Sequence, residues 1–164
     1  MSDKFKEFLI ITEELNKKNI IPLLMGSLGL EFVTEKDWNA RDIDIHVSGD
    51  PRGWEAPDEE RVYQWNDIID VMAELNYKLI DLHEHEFIKD NISVEYGVID
   101  TLPSFANVTL DELTYQNINN IEFYTPNLEA FLKIYLSSSE DSYRADNNNS
   151  KDFEKISYLK SQLT

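Results

Sequence analysis

The sequence predicts a mixed α/β (α+β) fold, a small mixed β-sheet with helices packed on it and a helical C-terminal segment. Three observations predict it. Apolar stripes at helical spacing alternate along the chain with short apolar runs of period two. The element order is α, β, α, β, α, a hairpin, a short strand, then helices, with no internal repeat. The chain has 164 residues, room for one domain, with its core over about 1–125 and C-terminal helices over about 126–164.

Residues 3–18 carry Phe5, Phe8, Leu9, Ile11 and Leu15 at helical spacing and form the first helix. "IIPLLMGS" is a short apolar strand stopping at Gly26, after which Ser27 caps a helix through Leu30 and Phe32. Residues 42–47, "DIDIHV", alternate acid and aliphatic and form the second strand. "SGDPRGWEAPDEE" is a loop by its Gly and Pro content. Residues 59–75 form a helix with Val62, Trp65, Ile68, Ile69 and Met72 inward. "YKLIDLHEHEFIKDNISVEYGVID" divides into two strands around Lys89-Asp90-Asn91. "NIEFYT" is a short strand, and Pro126 opens a helix through Leu136. "SSEDSYRADNNN" is a polar loop before a last helix over 150–163.

The formal net charge is -17, with 32 acidic and 15 basic residues, which argues against unaided binding to duplex nucleic acid. A cationic small molecule or a metal-chelated anion suits such a surface. The absence of cysteine removes disulfides, thiolate metal sites and thiol nucleophiles. The N-terminal stretch is an amphipathic helix, not a signal peptide, and nothing is apolar enough to span a membrane, so the expected location is the cytoplasm.

"RDIDIHV" carries the chemistry. Side chains alternate faces along a strand, so Asp42, Asp44 and His46 share one face and Ile43, Ile45 and Val47 enter the core. Two carboxylates on one strand face repel each other, and a divalent cation relieves that repulsion. Mg²⁺ takes oxygen ligands, commonly one or two carboxylates plus substrate phosphates. Upstream, "PLLMGS" runs a strand into Gly-Ser at a helix start, where backbone N–H groups and the helix dipole favour phosphate. Each motif alone also has a plain structural reading, as a strand end or a strand-to-helix turn.

"MGSLGL" followed by "RDIDIHV" resembles the nucleotidyltransferase fold of polymerase-β-like enzymes in its small bacterial form. That pattern includes a third acid on a later apolar strand, and "ISVEYGVID" supplies Glu95, with Asp100 as runner-up. "PNLEAFLKIYL…YRADNNNSKDFEKISYLK" is similar to the ending of antibiotic-resistance and antitoxin-system nucleotidyltransferases, with Lys133, Arg144, Lys151 and Asp152 at matching positions. The loops "TEKDWN" and "SGDPRGWEAPD" depart from the simple pattern, and Trp38 and Trp54 either stack on a base or sugar or pack their loops.

The resemblance implies two-metal transfer of a nucleoside monophosphate from a nucleoside triphosphate to a hydroxyl of a small molecule or protein. Asp42, Asp44 and Glu95 are the implied catalytic residues and ligands of Mg²⁺ or Mn²⁺. Gly26 and Ser27 cradle phosphate, with Lys133, Arg144 and Lys151 as further nucleotide-binding residues. A cationic acceptor such as an aminoglycoside suits the acidic cleft. The alternative is a catalytically silent or regulatory nucleotide-binding module of a toxin–antitoxin type system. A phosphoribosylanthranilate isomerase is physically implausible, because that (β/α)₈ barrel needs ~200 residues or more and uses a cysteine. His83 and His85 form a strand-borne pair near the site rim, short of the ligands a zinc site needs.

Overall fold

The structure, a computed structural model, describes the backbone of residues 2–140 and 142–164 and the side chains of 2–139 and 152–164. Among the described residues six α-helices and a seven-stranded mixed sheet make up an α/β fold. Helices α1 (Asp3–Lys17), α2 (Gly26–Thr34) and α3 (Trp65–Glu74) accompany strands β1 (Leu23–Met25), β2 (Ile43–Val47), β3 (Lys78–Asp81), β4 (Glu86–Lys89) and β5 (Ile92–Val98). Then come α4 (Leu102–Ala106), β6 (Leu113–Ile118), β7 (Ile121–Pro126), α5 (Leu128–Glu140) and α6 (Ser142–Leu163). The sheet order is β3-β4-β5-β2-β1-β7-β6. β2 runs parallel to β5 and antiparallel to β1, and β4 pairs antiparallel with β5.

The chain forms two compact units. The first comprises 1–101 and 115–125, and the second 102–114 and 126–164. In the first, the alternation of β2 and β5 decides which face is buried. Ile43, Ile45 and Val47 join Val94, Tyr96 and Val98 in the core, against Phe8, Ile11 and Leu15 of α1 and Ile68, Val71 and Met72 of α3. Ser2 caps α1 by accepting a 3.1 Å bond from the Phe5 N–H. In the second unit α5 packs on α6. Phe131 stacks on Tyr135, and the Lys155 ammonium lies 5.1 Å from the Tyr135 ring centre.

Several elements differ from the sequence expectation, each for a physical reason. The helix expected from residue 59 begins at Trp65, because Val62 bridges Gly49 and the Asp50 N–H donates to the Arg61 carbonyl at 2.8 Å. That pairing holds 61–62 extended. The stretch 78–89 is two strands, because residues 82–85 turn the chain and pair β3 with β4. β6 has no counterpart in the sequence reading, being a largely polar edge strand. In the expected polar loop at 138–149 the described backbone is helical, 138–140 continuing α5 and 142–149 starting α6. Ser, Asp and Asn disfavour a helix interior by well under 1 kcal/mol each, too little to end a helix by themselves. Among the described residues no helix is long and apolar enough to cross a membrane.

Candidate active site

The site is built from the middle of the sheet outwards. The β2–β5 register places Asp44 opposite Glu95, and residues in register on adjacent strands point to the same face. Both carboxylates therefore stand on the face opposite the core, on strands roughly 4.8 Å apart. Each is half-buried. Asp42 precedes β2 in a bend and is exposed, so the strand starts one residue later than the sequence reading has it. Asp42 still acts electrostatically on Glu95.

Burial is the largest effect on Glu95, raising its pKa from 4.5 to about 7, and the charges of Asp44, Glu86, Glu84 and Asp42 add to it in that order. Glu86, absent from the sequence-derived site, lies in register with Glu95 on β4 and accepts a 2.6 Å hydrogen bond from the Ser93 hydroxyl. Asp44, Glu95 and Glu86 thus form a row across three neighbouring strands.

On the other side of Asp44 lies the start of α2. Met25 of β1 is in register with Asp44, and Gly26 follows at φ +66, a left-handed conformation that favours glycine. A Cβ at Gly26 would run into Asp44 Oδ2 and come within 3.1 Å of its Cγ. The Gly26 backbone therefore abuts the carboxylate, and both φ and space require glycine. Ser27 is not the helix cap. The turn at Gly26 starts α2 one residue earlier, with Met25 at the N-cap and no side-chain capping bond. Ser27 sits half-buried in the first turn.

His46 shares the Asp44 face and lies opposite Gly97. A Cβ at Gly97 would fall 2.5 Å from His46 Nε2, so the missing side chain makes room for the imidazole. Desolvation pushes the His46 pKa down to about 4 and keeps it neutral. Asp100 does not belong to the acid row. Its Oδ2 accepts from the Gly49 N–H at 2.9 Å and braces the loop after β2.

The remaining candidates are placed elsewhere or otherwise engaged. Lys133, in the second unit, is held by both Glu112 carboxylate oxygens at 3.0 Å. Asp152 is buried on α6. The side chains of Arg144 and Lys151 lie outside the described residues. His83 and His85 occupy the 82–85 turn, not a strand. His85 is buried at φ +52 against Trp65, with Nε2 2.7 Å from the Asp58 carbonyl. His83 pairs with Asp58 at 3.0 Å and packs on Trp54. Trp54 also lies under the Arg61 guanidinium, while Trp38 donates its ring N–H to the Thr34 hydroxyl at 3.0 Å. Both tryptophans thus contact their own surroundings.

Among the described residues no three His, Cys, Asp or Glu side chains are already grouped as a metal site. The donor set nonetheless fits a hard divalent ion. Asp44 and Glu95 offer carboxylate oxygen only and stand in register on adjacent strands.

Comparison with known proteins follows the same lines. Over 156 residues the sequence is 36% identical to the uncharacterized protein YnaI of Bacillus subtilis (strain 168), covering 94% of each chain. The chain belongs to the YnaI family. No protein-family profile matches it. Among solved structures, the YnaI-family chain aligns with ANT(2")-Ia in complex with adenylyl-2"-tobramycin at a TM-score of 0.63 and 10% identity, over 99% of this chain and 91% of that one. An antigenic nucleotidyltransferase-like protein from Paracoccidioides brasiliensis aligns at 0.64 and 15% identity, over 96% and 76%. The solution structure of the antibiotic-resistance factor ANT(2'')-Ia aligns at 0.59 and 12%, over 99% and 86%. The fold is that of the nucleotidyltransferases.

Proposed function

We propose that this chain is a metal-dependent nucleotidyltransferase, moving a nucleoside monophosphate from a nucleoside triphosphate to a hydroxyl of a small molecule or protein. The observation that carries the reading is the in-register pair Asp44 and Glu95, with the Gly26 backbone against Asp44. Asp44 and Glu95, with Asp42 at the mouth of β2, would hold Mg²⁺ or Mn²⁺. When bound, such an ion neutralises the triphosphate and the departing pyrophosphate.

The chain's own groups do the rest. The first turn of α2 takes phosphate oxygens on its backbone N–H groups, and Gly26 lets them approach. Glu95 would complete the metal site and so favour deprotonation of the acceptor hydroxyl. Ser27 is a further nucleotide-binding residue in this proposal, as are Lys133, Arg144 and Lys151 of the second unit, of which Lys133 is paired with Glu112. The net charge of -17, Glu86 beside Glu95 and the tobramycin adduct in the ANT(2")-Ia structure support a cationic small-molecule acceptor.

A second reading, a silent nucleotide-binding module, is favoured by one observation. Asp42 stands outside the strand and no third ligand is already grouped with the pair among the described residues. Pyrophosphate release from each nucleoside triphosphate with Mg²⁺ and a panel of hydroxylated amines separates the two. Release that Asp44→Asn abolishes supports the transferase. Thermal stabilisation by nucleotide without release supports the silent module, and neither effect overturns both.

A further inference from the structure

A second concavity lies in the first unit along one face of α2, and Gly26, Asp44 and Glu95 are not among the residues that line it. It encloses about 570 Å³ between the start of α1, the outer face of α2 and the turn that follows. That volume lies within the range of small-molecule sites. Its floor is apolar, made by Phe5, Leu28 and Phe32, with Phe5 and Phe32 stacked at 5.0 Å between centroids. Its rim carries the carboxylates of Glu31, Glu35 and Asp37.

The rim is nearly all of one sign. Glu31 uses Oε2 to accept from the Trp38 and Ala40 N–H groups at 2.8 and 3.2 Å, which fixes the turn that forms the wall. Asp37 uses Oδ1 to accept from Asn39 at 2.7 Å. Lys36, the one cation lining the concavity among the described residues, lies 4.7 Å from the Trp38 ring centre. Glu35 and Asp37 are exposed. An apolar floor attracts an apolar body, and the carboxylates above it select positive charge.

We propose that this concavity is a binding site for an organic cation with an apolar body, separate from the nucleotidyl-transfer site. Charge complementarity selects the occupant: a neutral apolar molecule gains only the floor, and an anion is repelled by the rim.

The test is a titration of the full chain by two-dimensional amide NMR at low salt, with three probes of one shape. These are phenethylammonium, 2-phenylethanol and phenylacetate. The expected result is saturable shifts at Phe5 and residues 28–37, with the cation at least tenfold tighter than the alcohol and the anion not bound. The double variant Glu35→Gln, Asp37→Asn keeps both side-chain shapes at exposed positions. It should weaken the cation three- to tenfold and leave the alcohol unchanged. Equal affinity for cation and alcohol, shifts mapping to another surface, or no saturable shift with the cation overturns the proposal. None of these results depends on nucleotide turnover.

Discussion

Replacing Glu95 by Gln should stabilise the protein at pH 8 and do so much less at pH 5. Glu95 has a pKa of about 7 in the fold against 4.5 for an ordinary glutamate, so the folded chain binds its proton more tightly than the unfolded one. Stability therefore falls as pH rises from 4.5 through 7, because the native state must give up a proton it holds well. Above pH 7 the whole penalty is present, and below 4.5 it is gone. A displacement of this size is worth at most about 3.4 kcal/mol at 1.36 kcal/mol per pH unit. Glu95 is only half-buried, and solvent screening brings the figure to about 1.5–2 kcal/mol. Gln keeps the shape without the charge, so the variant should melt about 3–8 °C above wild type at pH 8. The assay is urea and thermal unfolding of both proteins at pH 5 and pH 8 without metal. A variant less stable than wild type at pH 8 refutes the reasoning, because it makes Glu95 a structural partner instead of a crowded charge.

Other expectations follow from neighbouring residues. Gly26→Val puts a branched side chain at φ +66 and into Asp44, so it should lower stability by about 1–3 kcal/mol and remove stabilisation by Mg²⁺ with nucleotide. A folded Gly26→Val that still responds to nucleotide in a thermal melt contradicts the phosphate-cradle role. Asp100→Ala should cost about 1–3 kcal/mol in urea unfolding by leaving the Gly49 N–H unpaired, with the nucleotide response intact. Loss of that response would promote Asp100 to the third acid. His46 is held neutral with its pKa lowered to about 4, so its contribution is present above its ordinary value of 6.5 and lost as pH falls from there towards 4. His46→Gln should flatten the stability profile across that window, and an unchanged slope places the titration elsewhere.

The acid pair was legible because period-two alternation is a strong signal, and "DIDIHV" and "ISVEYGV" both show it. The hairpin turn at Asp90-Asn91 was legible too. Counting outwards from it pairs Lys89 with Ile92 and so Glu86 with Glu95, which would have revealed the third member of the acid row. The 82–85 turn was hidden because "LHEHEF" keeps alternating through a bend closed by His85 in the left-handed region. β6 was hidden by its polarity, although Asn119-Asn120, with φ of 51 and 69, is the two-residue turn a hairpin favours. Gly26 was readable as a turn glycine, but its contact with Asp44 depends on the β1–β2 register, which no local pattern contains. The helical backbone at 142–149 was hidden because "SYRADNNN" is rich in turn-favouring residues, although each costs a helix well under 1 kcal/mol.

The central claim is that Asp44 is kept for a metal–nucleotide complex, not for the fold. Thermal melts of wild type and Asp44→Asn, with and without Mg²⁺ and each nucleoside triphosphate, test it most directly. A ligand stabilises only through its affinity for the folded state, at about 2.7 kcal/mol for a hundredfold excess over Kd. The account predicts that wild type gains several degrees with at least one Mg²⁺–nucleotide pair. It predicts that Asp44→Asn is at least as stable as wild type without ligand and gains almost nothing with it. A destabilised Asp44→Asn variant that keeps the full nucleotide response would contradict the account.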